Sequence, residues 1–504
     1  MTLFSGTSAP RAKIDFQAVL GILGAFIFFL GFALLLPAAI DVFYGQDTWH
    51  SFLISAGIAF SVGAILWYTF KPKDEIHIRE GFLIVSLTWL SLSFVGALPF
   101  VIAGVLPSFT DAVFETMSAL TTTGSTILGG ETSGGFINPD IEEIPKSFLL
   151  WRSLAHWLGG MGIIVLSLAI LPLLGIGGMQ LFQAESPGPT TDKLTPRVQE
   201  TAKLLWGVYV AFTFAQFLLL WVHPAMDWFE AINHAFSTMA TGGFSTKNAS
   251  IEAFDSAYID WVIILFMFIA GVNFAMHFRL IRGDHKSFFA NREIRFYALI
   301  AMIGIFIVSG SLWLLDEYHI LDALRYGAFQ VLAILTTTGF GTDNYEVWNT
   351  VGAFFLFLLF FTGGCAGSTA GGIKMVRWMI LIRNTGREIK QIMHPKAILP
   401  VRIGDQAITQ NIQRTVLSFF ILYIFIFALG AFIISLFGYD IMSSIGASIA
   451  AIGNIGPGWG DFGPTDNFAH LPYLGKWVLI FLMMVGRLEI FTVLILFSPA
   501  FWRQ

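Results

Sequence analysis

The feature that most constrains this chain is a short phrase, rich in threonine and glycine, that recurs four times. It reads Thr121-Thr122-Thr123-Gly124, Ala240-Thr241-Gly242-Gly243, Thr336-Thr337-Thr338-Gly339 and Gly453-Asn454-Ile455-Gly456. A helix-like stretch too short to cross a bilayer precedes each one, at 111–120, 230–239, 322–335 and 442–452. A long apolar run follows. Four like units in one chain can close around a single axis.

Composition says where that axis stands. The chain has 504 residues, 56% of them hydrophobic and only 12% charged, against about a quarter charged in a soluble protein. It reads as an all-α polytopic membrane protein. Runs of roughly 20 apolar residues fall near 17–40, 50–70, 82–104, 148–173, 203–222, 258–282, 295–315, 351–381, 415–438 and 474–500. The first is long enough to remain as a span rather than a cleaved signal. The lone cysteine, Cys365, excludes an intrachain disulfide.

The expected organisation is an N-terminal hairpin over 1–75, then pore units over 76–180, 181–290, 291–395 and 396–504. Orientation follows the positive-inside rule. One set of loops holds Lys71, Lys73, Lys193, Arg197 and the basic stretches 279–295 and 377–402, joined by Arg11, Lys13 and Arg503 at the termini. Opposite loops carry Asp140, Glu142, Asp343, Glu346 and Asp461. An even number of spans then places both termini in the cytoplasm and the four phrases outside. The short helices must dip in and stop, which is tolerated only where protein or a water-filled cavity surrounds them.

Backbone carbonyls are hard ligands able to replace the hydration shell of K⁺. Aiming successive carbonyls at one axis calls for dihedrals that glycine adopts cheaply, and Gly124, Gly243, Gly339 and Gly456 hold matched places. The expected ion-binding set adds Thr122, Thr123, Thr241, Gly242, Thr337, Thr338, Asn454 and Ile455. Threonine hydroxyls here either add ligands or brace the loops. Half-helices ending at the phrases aim partially negative C-termini at the axis, favouring a cation. A single such phrase would pass as an ordinary external turn; four in register do not. Glu115 and His234, at matching places in the first two short helices, are expected to brace the loops, and His156 and His277 to be structural.

Below the third phrase, glycine density should unwind the span at 363–372, since each glycine costs a helix about 1 kcal/mol. Gly363, Gly364, Gly367, Ser368, Thr369, Gly371 and Gly372 are the expected gate; close helix packing through small residues is the alternative. Arg487 lies mid-span in the last apolar run. It either faces the pore and repels cations or pairs with a carboxylate on another helix.

These phrases, the glycine-rich loop and Arg487 resemble the filters, intramembrane gating loop and pore arginine of the Trk/Ktr/HKT potassium-transport superfamily, and ten spans look like its TrkH branch. The resemblance covers nearly the whole chain. It implies a homodimeric K⁺-uptake protein of the bacterial inner membrane, one pore per subunit. It also implies a cytosolic TrkA-like regulator that binds nucleotides. This chain has no nucleotide motif of its own, and K⁺ is cargo, so no cofactor, enzyme activity or nucleic-acid partner is expected. The basic loops at 279–295 and 377–402 either dock that regulator or merely set topology. Na⁺-preferring plant relatives carry serine at the first filter glycine; Gly124 argues for K⁺. A secondary transporter coupled to H⁺ or Na⁺ is the competing class, but such folds favour inverted repeats, whereas these units share one orientation.

Overall fold

The computed structural model describes residues 14–70, 77–169, 194–404 and 406–503. Arg11, Lys13, Lys71, Lys73 and Lys193 lie outside them, as do residues 170–173 of the fourth expected span and the expected unit boundaries at 75/76 and 180/181.

The chain is almost entirely helical. An N-terminal hairpin pairs α1 (Phe16–Phe43) with α2 (Trp49–Thr69). Then come α3 (Ile78–Ile102), the short α4 (Phe109–Leu120) and α5 (Lys146–Ala169). The second unit holds α6 (Leu194–Trp221), short α7 (Trp228–Met239), α8 (Ala257–Ala270) and α9 (Phe274–Ile281). After α10 (His285–Ala290), the third holds α11 (Arg292–Leu315), short α12 (Ile320–Leu335), α13 (Thr350–Leu359) and α14 (Met375–Met393). A two-residue antiparallel ladder, β1 (Arg402–Ile403) with β2 (Gln406–Ala407), which sequence reading did not anticipate, leads into the fourth. That unit holds α15 (Gln410–Ser435), short α16 (Ile441–Gly453), α17 (Tyr473–Arg487) and α18 (Ile490–Leu494), with α19 (Pro499–Trp502) at the end.

Among the described residues, α1, α2, α3, α6, α11 and α15 are long and apolar enough to cross a membrane. Their outward faces carry large apolar side chains such as Phe29, Phe32, Ile65, Phe306 and Phe425, as lipid contact requires. In the hairpin, Gly24 and Gly63 let the backbones touch: a Cβ on Gly63 would lie 2.8 Å from the Gly24 carbonyl oxygen.

Three expected spans are not continuous. The 258–282 run bends by 101° between α8 and α9, and the 474–500 run by 117° after Arg487. At the first break the Asn273 side chain accepts the Ala275 N–H at 2.8 Å and starts a new helix. The Gly271 carbonyl is diverted to the Cys365 N–H, also at 2.8 Å. At the second, Glu489 takes a left-handed φ of 63°. The 351–381 run is likewise split, as its glycines suggest, into α13 and α14 around an irregular loop.

The four short helices form the centre. Each starts on a polar cap, with Ser108, Asp227, His319 and Asp440 accepting first-turn N–H groups. Every residue from Asp111 to Leu120 is buried, so this re-entrant backbone is sheathed in protein. Units one and four meet without a covalent link, and a buried ion pair crosses their seam. Lys476 Nζ of α17 lies 2.6 Å from Asp111 Oδ1 of α4, the two side chains 0% and 2% exposed. Removing one partner of such a pair strands a charge, at a cost of about 3–5 kcal/mol. Lys476→Met should therefore sharply lower the melting temperature of the purified protein, and Lys476→Met with Asp111→Leu should recover most of the loss.

Candidate ion-conducting site

Each short helix ends in the same turn. The N–H groups of Thr122, Thr241, Thr337 and Asn454 bond the carbonyls of Ala119, Thr238, Ile334 and Ala451 at 2.9–3.2 Å. One residue on, Thr123, Gly242, Thr338 and Ile455 bond Ser118, Ser237, Ala333 and Ala450 at 2.8–3.0 Å. This double closure is the Schellman cap, whose left-handed position ordinarily belongs to glycine. Here it holds Thr122, Thr241, Thr337 and Asn454, with φ of 51°, 54°, 57° and 53°. A β-branched residue held there stores about 1–3 kcal/mol. Two residues later Gly124, Gly243, Gly339 and Gly456 are left-handed again, at φ of 85°, 79°, 76° and 104°.

The loops close on one another in cyclic order. A Cβ on Gly124 would strike the carbonyl oxygen of Gly242, and one on Gly243 that of Thr338. From Gly339 it would strike that of Ile455, and from Gly456 it would lie 2.8 Å from that of Thr123. Four backbones thus abut in a ring with no room for a side chain between them.

Side chains hold the ring from outside. Nine residues before the filter glycines stand Glu115, His234 and Gln330. Glu115 accepts from Thr126 Oγ1 at 3.0 Å and Ile127 N at 3.1 Å. His234 Nδ1 faces the Glu230 carbonyl at 2.7 Å, so it donates there, leaving Nε2 to accept from Ser245 Oγ at 3.0 Å. Gln330 Nε2 donates to Asp343 O at 3.2 Å. The fourth unit has Ala447 at that register. Its loop is braced instead by Tyr345, whose hydroxyl donates to Gly458 O at 2.7 Å, and by Glu346, which accepts from Gly460 N at 2.6 Å. Burial, opposed by that N–H, pushes the Glu346 carboxyl up from its ordinary value, and Asp466 and Asp461 add to the rise.

Arg152 ties the first two loops together. Its Nε lies 2.7 Å from Glu115 Oε1, its Nη1 donates to Ser245 O at 3.2 Å, and its guanidinium covers the Phe244 ring at 3.9 Å. Across the last seam, Ser125 Oγ donates to Gly456 O at 2.9 Å and Asn454 Nδ2 to Thr123 Oγ1 at 3.0 Å. Sequence reading missed Arg152, Gln330 and Tyr345. Arg152 is a charge within an expected span, as Arg487 is, and Gln330 continues the register of Glu115 and His234. Tyr345 sends no comparable signal, because its contact joins different units.

The irregular segment between α13 and α14 lies directly beneath this ring. Gly367 and Gly372 are left-handed, at φ of 74° and 60°. The Gly371 N–H donates to Thr337 Oγ1 at 2.6 Å, so this filter hydroxyl braces the loop. Thr369 Oγ1 donates to the last carbonyl of α7, Met239 O, at 3.0 Å. A Cβ on Gly371 would lie 2.5 Å from Gly453 O, and one on Gly364 2.7 Å from Gly271 O. Ser368 turns inward, its hydroxyl donating to Cys365 O at 2.6 Å. A Cβ on Gly363 would collide with the Gly371 carbonyl, so the loop folds back on itself. From α11, Glu293 Oε1 accepts from Ala366 N at 2.7 Å and Val376 N at 3.1 Å, gripping the loop at both ends.

Arg487 is not mid-helix: it closes α17, where its cation complements the helix terminus. Among the described residues no carboxylate pairs with it. Its Nη1 donates to Thr369 O at 2.7 Å and its Nη2 to Gly159 O at 3.4 Å. Glu489 is bound by Arg377 instead. Arg487 is thus a strut between α5 and the loop, buried beneath the filter ring.

The sequence model of TrkH, described as a cation transport protein, matches residues 50–504. The chain belongs to the TrkH family. It is 40% identical over 496 residues to the Trk system potassium uptake protein TrkH of Escherichia coli (strain K12), covering 97% of this chain and 100% of that protein. Against the Trk system potassium uptake protein TrkH of Halomonas elongata the identity is 39% over 495 residues, with the same coverage. The crystal structure of the potassium transporter TrkH from Vibrio parahaemolyticus matches with a TM-score of 0.88 at 36% identity, covering 97% of this chain and all of that one.

Thr122 Oγ1 is buried and has no hydrogen-bond partner in the protein. Thr122→Gly relieves the left-handed strain and removes no protein hydrogen bond. It should leave stability unchanged or raise it by about 1 kcal/mol in thermal melts; a clear loss would show that packing of the buried Thr122 side chain outweighs the strain.

Proposed function

We propose that this TrkH-family chain mediates K⁺ uptake across the bacterial inner membrane, through a selective and gated pore. The observation that carries the proposal is the cyclic abutment of Gly124, Gly243, Gly339 and Gly456 on the carbonyls of the neighbouring loops. Such a ring concentrates carbonyl oxygens around one axis, where they replace an ion's hydration shell. The C-termini of four short helices converge on it with partial negative charge. The filter residues are those of the four phrases: residues 122–124, 241–243, 337–339 and 454–456. The relatives' names, which specify potassium uptake, point the same way.

The loop at 363–372 is the gate in this proposal, with Arg487 as its lock. In this reading the loop, packed beneath the filter, moves to let an ion pass. A fixed cation about 6 Å from a passing ion costs about 3 kcal/mol at an effective dielectric of ~20. The protein works as a homodimer with one pore per subunit, both termini in the cytoplasm. Its basic cytoplasmic loops receive a TrkA-like nucleotide-binding regulator. It is a transporter rather than an enzyme, with K⁺ as cargo.

Ion flux into proteoliposomes containing the purified chain tests the proposal. Under an imposed voltage, K⁺ and Rb⁺ should enter well ahead of Na⁺ with no proton gradient present. Flux that needs a proton or sodium gradient would establish a coupled symporter instead. Arg487→Ala should raise K⁺ flux in the same assay by about tenfold or more; unchanged flux with lowered stability would reduce Arg487 to a structural strut.

A further inference from the structure

The second filter loop departs from the others, and its departure has a physical partner. Loops one and three carry threonine at the first and third positions of the phrase, and the two hydroxyls bond each other: Thr121 to Thr123 at 2.8 Å, Thr336 to Thr338 at 2.7 Å. Loop four has Ile455 at the third position. Loop two has Ala240 and Gly242, so it lacks both the bond and the bulk. Backbone conformation does not demand this glycine, because Gly242 is not left-handed. Space does: a Cβ on Gly242 would fall on the imidazole of His156.

His156 is fully buried in α5, a helix of unit one. Its ring stacks on Phe244 at 4.2 Å between centroids and 20° between planes. Its Nδ1 lies 3.3 Å from Ser237 Oγ. Ser237 also supplies the carbonyl that receives the Gly242 N–H at 2.8 Å. The imidazole therefore lies against Ser237, whose carbonyl closes the cap, against the third filter position and against the residue after the filter glycine. The carbonyl it backs, that of Gly242, is the one against which Gly124 closes the ring.

We infer that His156 is a positioning residue for the second filter loop: it occupies the place of the missing third-position side chain, fixes the Gly242 carbonyl, and so sets discrimination between K⁺ and Na⁺. This rests on the filter reading above. A carbonyl ring separates two cations differing only in size by holding its oxygens in place, and a void behind one loop lets that loop relax toward a smaller ion.

The test is the melting temperature of the purified full-length chain in KCl and NaCl series, converted to apparent affinities by linkage. This readout needs no open gate. The wild-type chain should be stabilised more by K⁺. In His156→Ala the K⁺-over-Na⁺ ratio should fall about tenfold. His156→Leu, which keeps the bulk, and His156→Ala with Gly242→Thr, which refills the space from the loop, should retain the ratio within about threefold. Gly242→Ala, which crowds the imidazole, should lower the ratio in a chain that keeps His156, so the inference is tested even if His156→Ala fails to fold. An unchanged ratio in His156→Ala or Gly242→Ala would overturn the inference, as would equal losses in His156→Leu and His156→Ala. A wild-type chain indifferent to the choice of cation would overturn the filter reading itself and this inference with it.

Discussion

Backbone meets backbone at the centre of this protein, and the remaining architecture follows from that contact. Gly124, Gly243, Gly339 and Gly456 each abut a carbonyl oxygen of the next loop, and no side chain fits between them. So close an approach has to be held from outside. Asp111 with Lys476, Arg152 with Ser245, and Tyr345 with Gly458 each join one unit to its neighbour. Polar contacts of this kind suit a buried ring because leaving their groups unpaired away from water is costly. The girdle and the ring therefore stand or fall together.

Conformational strain is placed where the ring needs shape. Threonine and asparagine occupy the left-handed position of the helix caps, where glycine would sit at lower cost. What they gain is a side chain at a point that faces the next layer of the structure. Thr337 takes the Gly371 N–H of the loop at 363–372, and Asn454 reaches both Thr123 and the Met483 carbonyl. Repeating the turn four times aims four helix termini at one axis, a field no single unit would provide.

The loop at 363–372 is tied from two directions. Above, it bonds Thr337 and the end of α7; below, Glu293 holds Ala366 and Val376. Glu293 opens α11, only a short helix away from the start of the basic stretch at 279.

Much of this was legible in the chain alone. Composition fixed the membrane setting, and the fourfold phrase with its preceding short helices fixed the repeat, because a run of ten or so residues cannot cross a bilayer. The glycine-rich break at 363–372 announced itself through helix propensity. Register could also have revealed Gln330. The bends at 271–273 and 488–489 were hidden, since their apolar character reads as continuous span and only contacts such as Gly271 O with Cys365 N divert the backbone. For the same reason Arg487 was expected at mid-helix. Sequence determined which short segments stop inside the membrane-spanning part, because that depends on local length, polarity and glycine. Tertiary structure alone decided which carbonyl faces which glycine, what Arg487 bonds, and why Gly242 carries no side chain: each depends on atoms brought together from different units, whose separation along the chain says nothing of their distance in space.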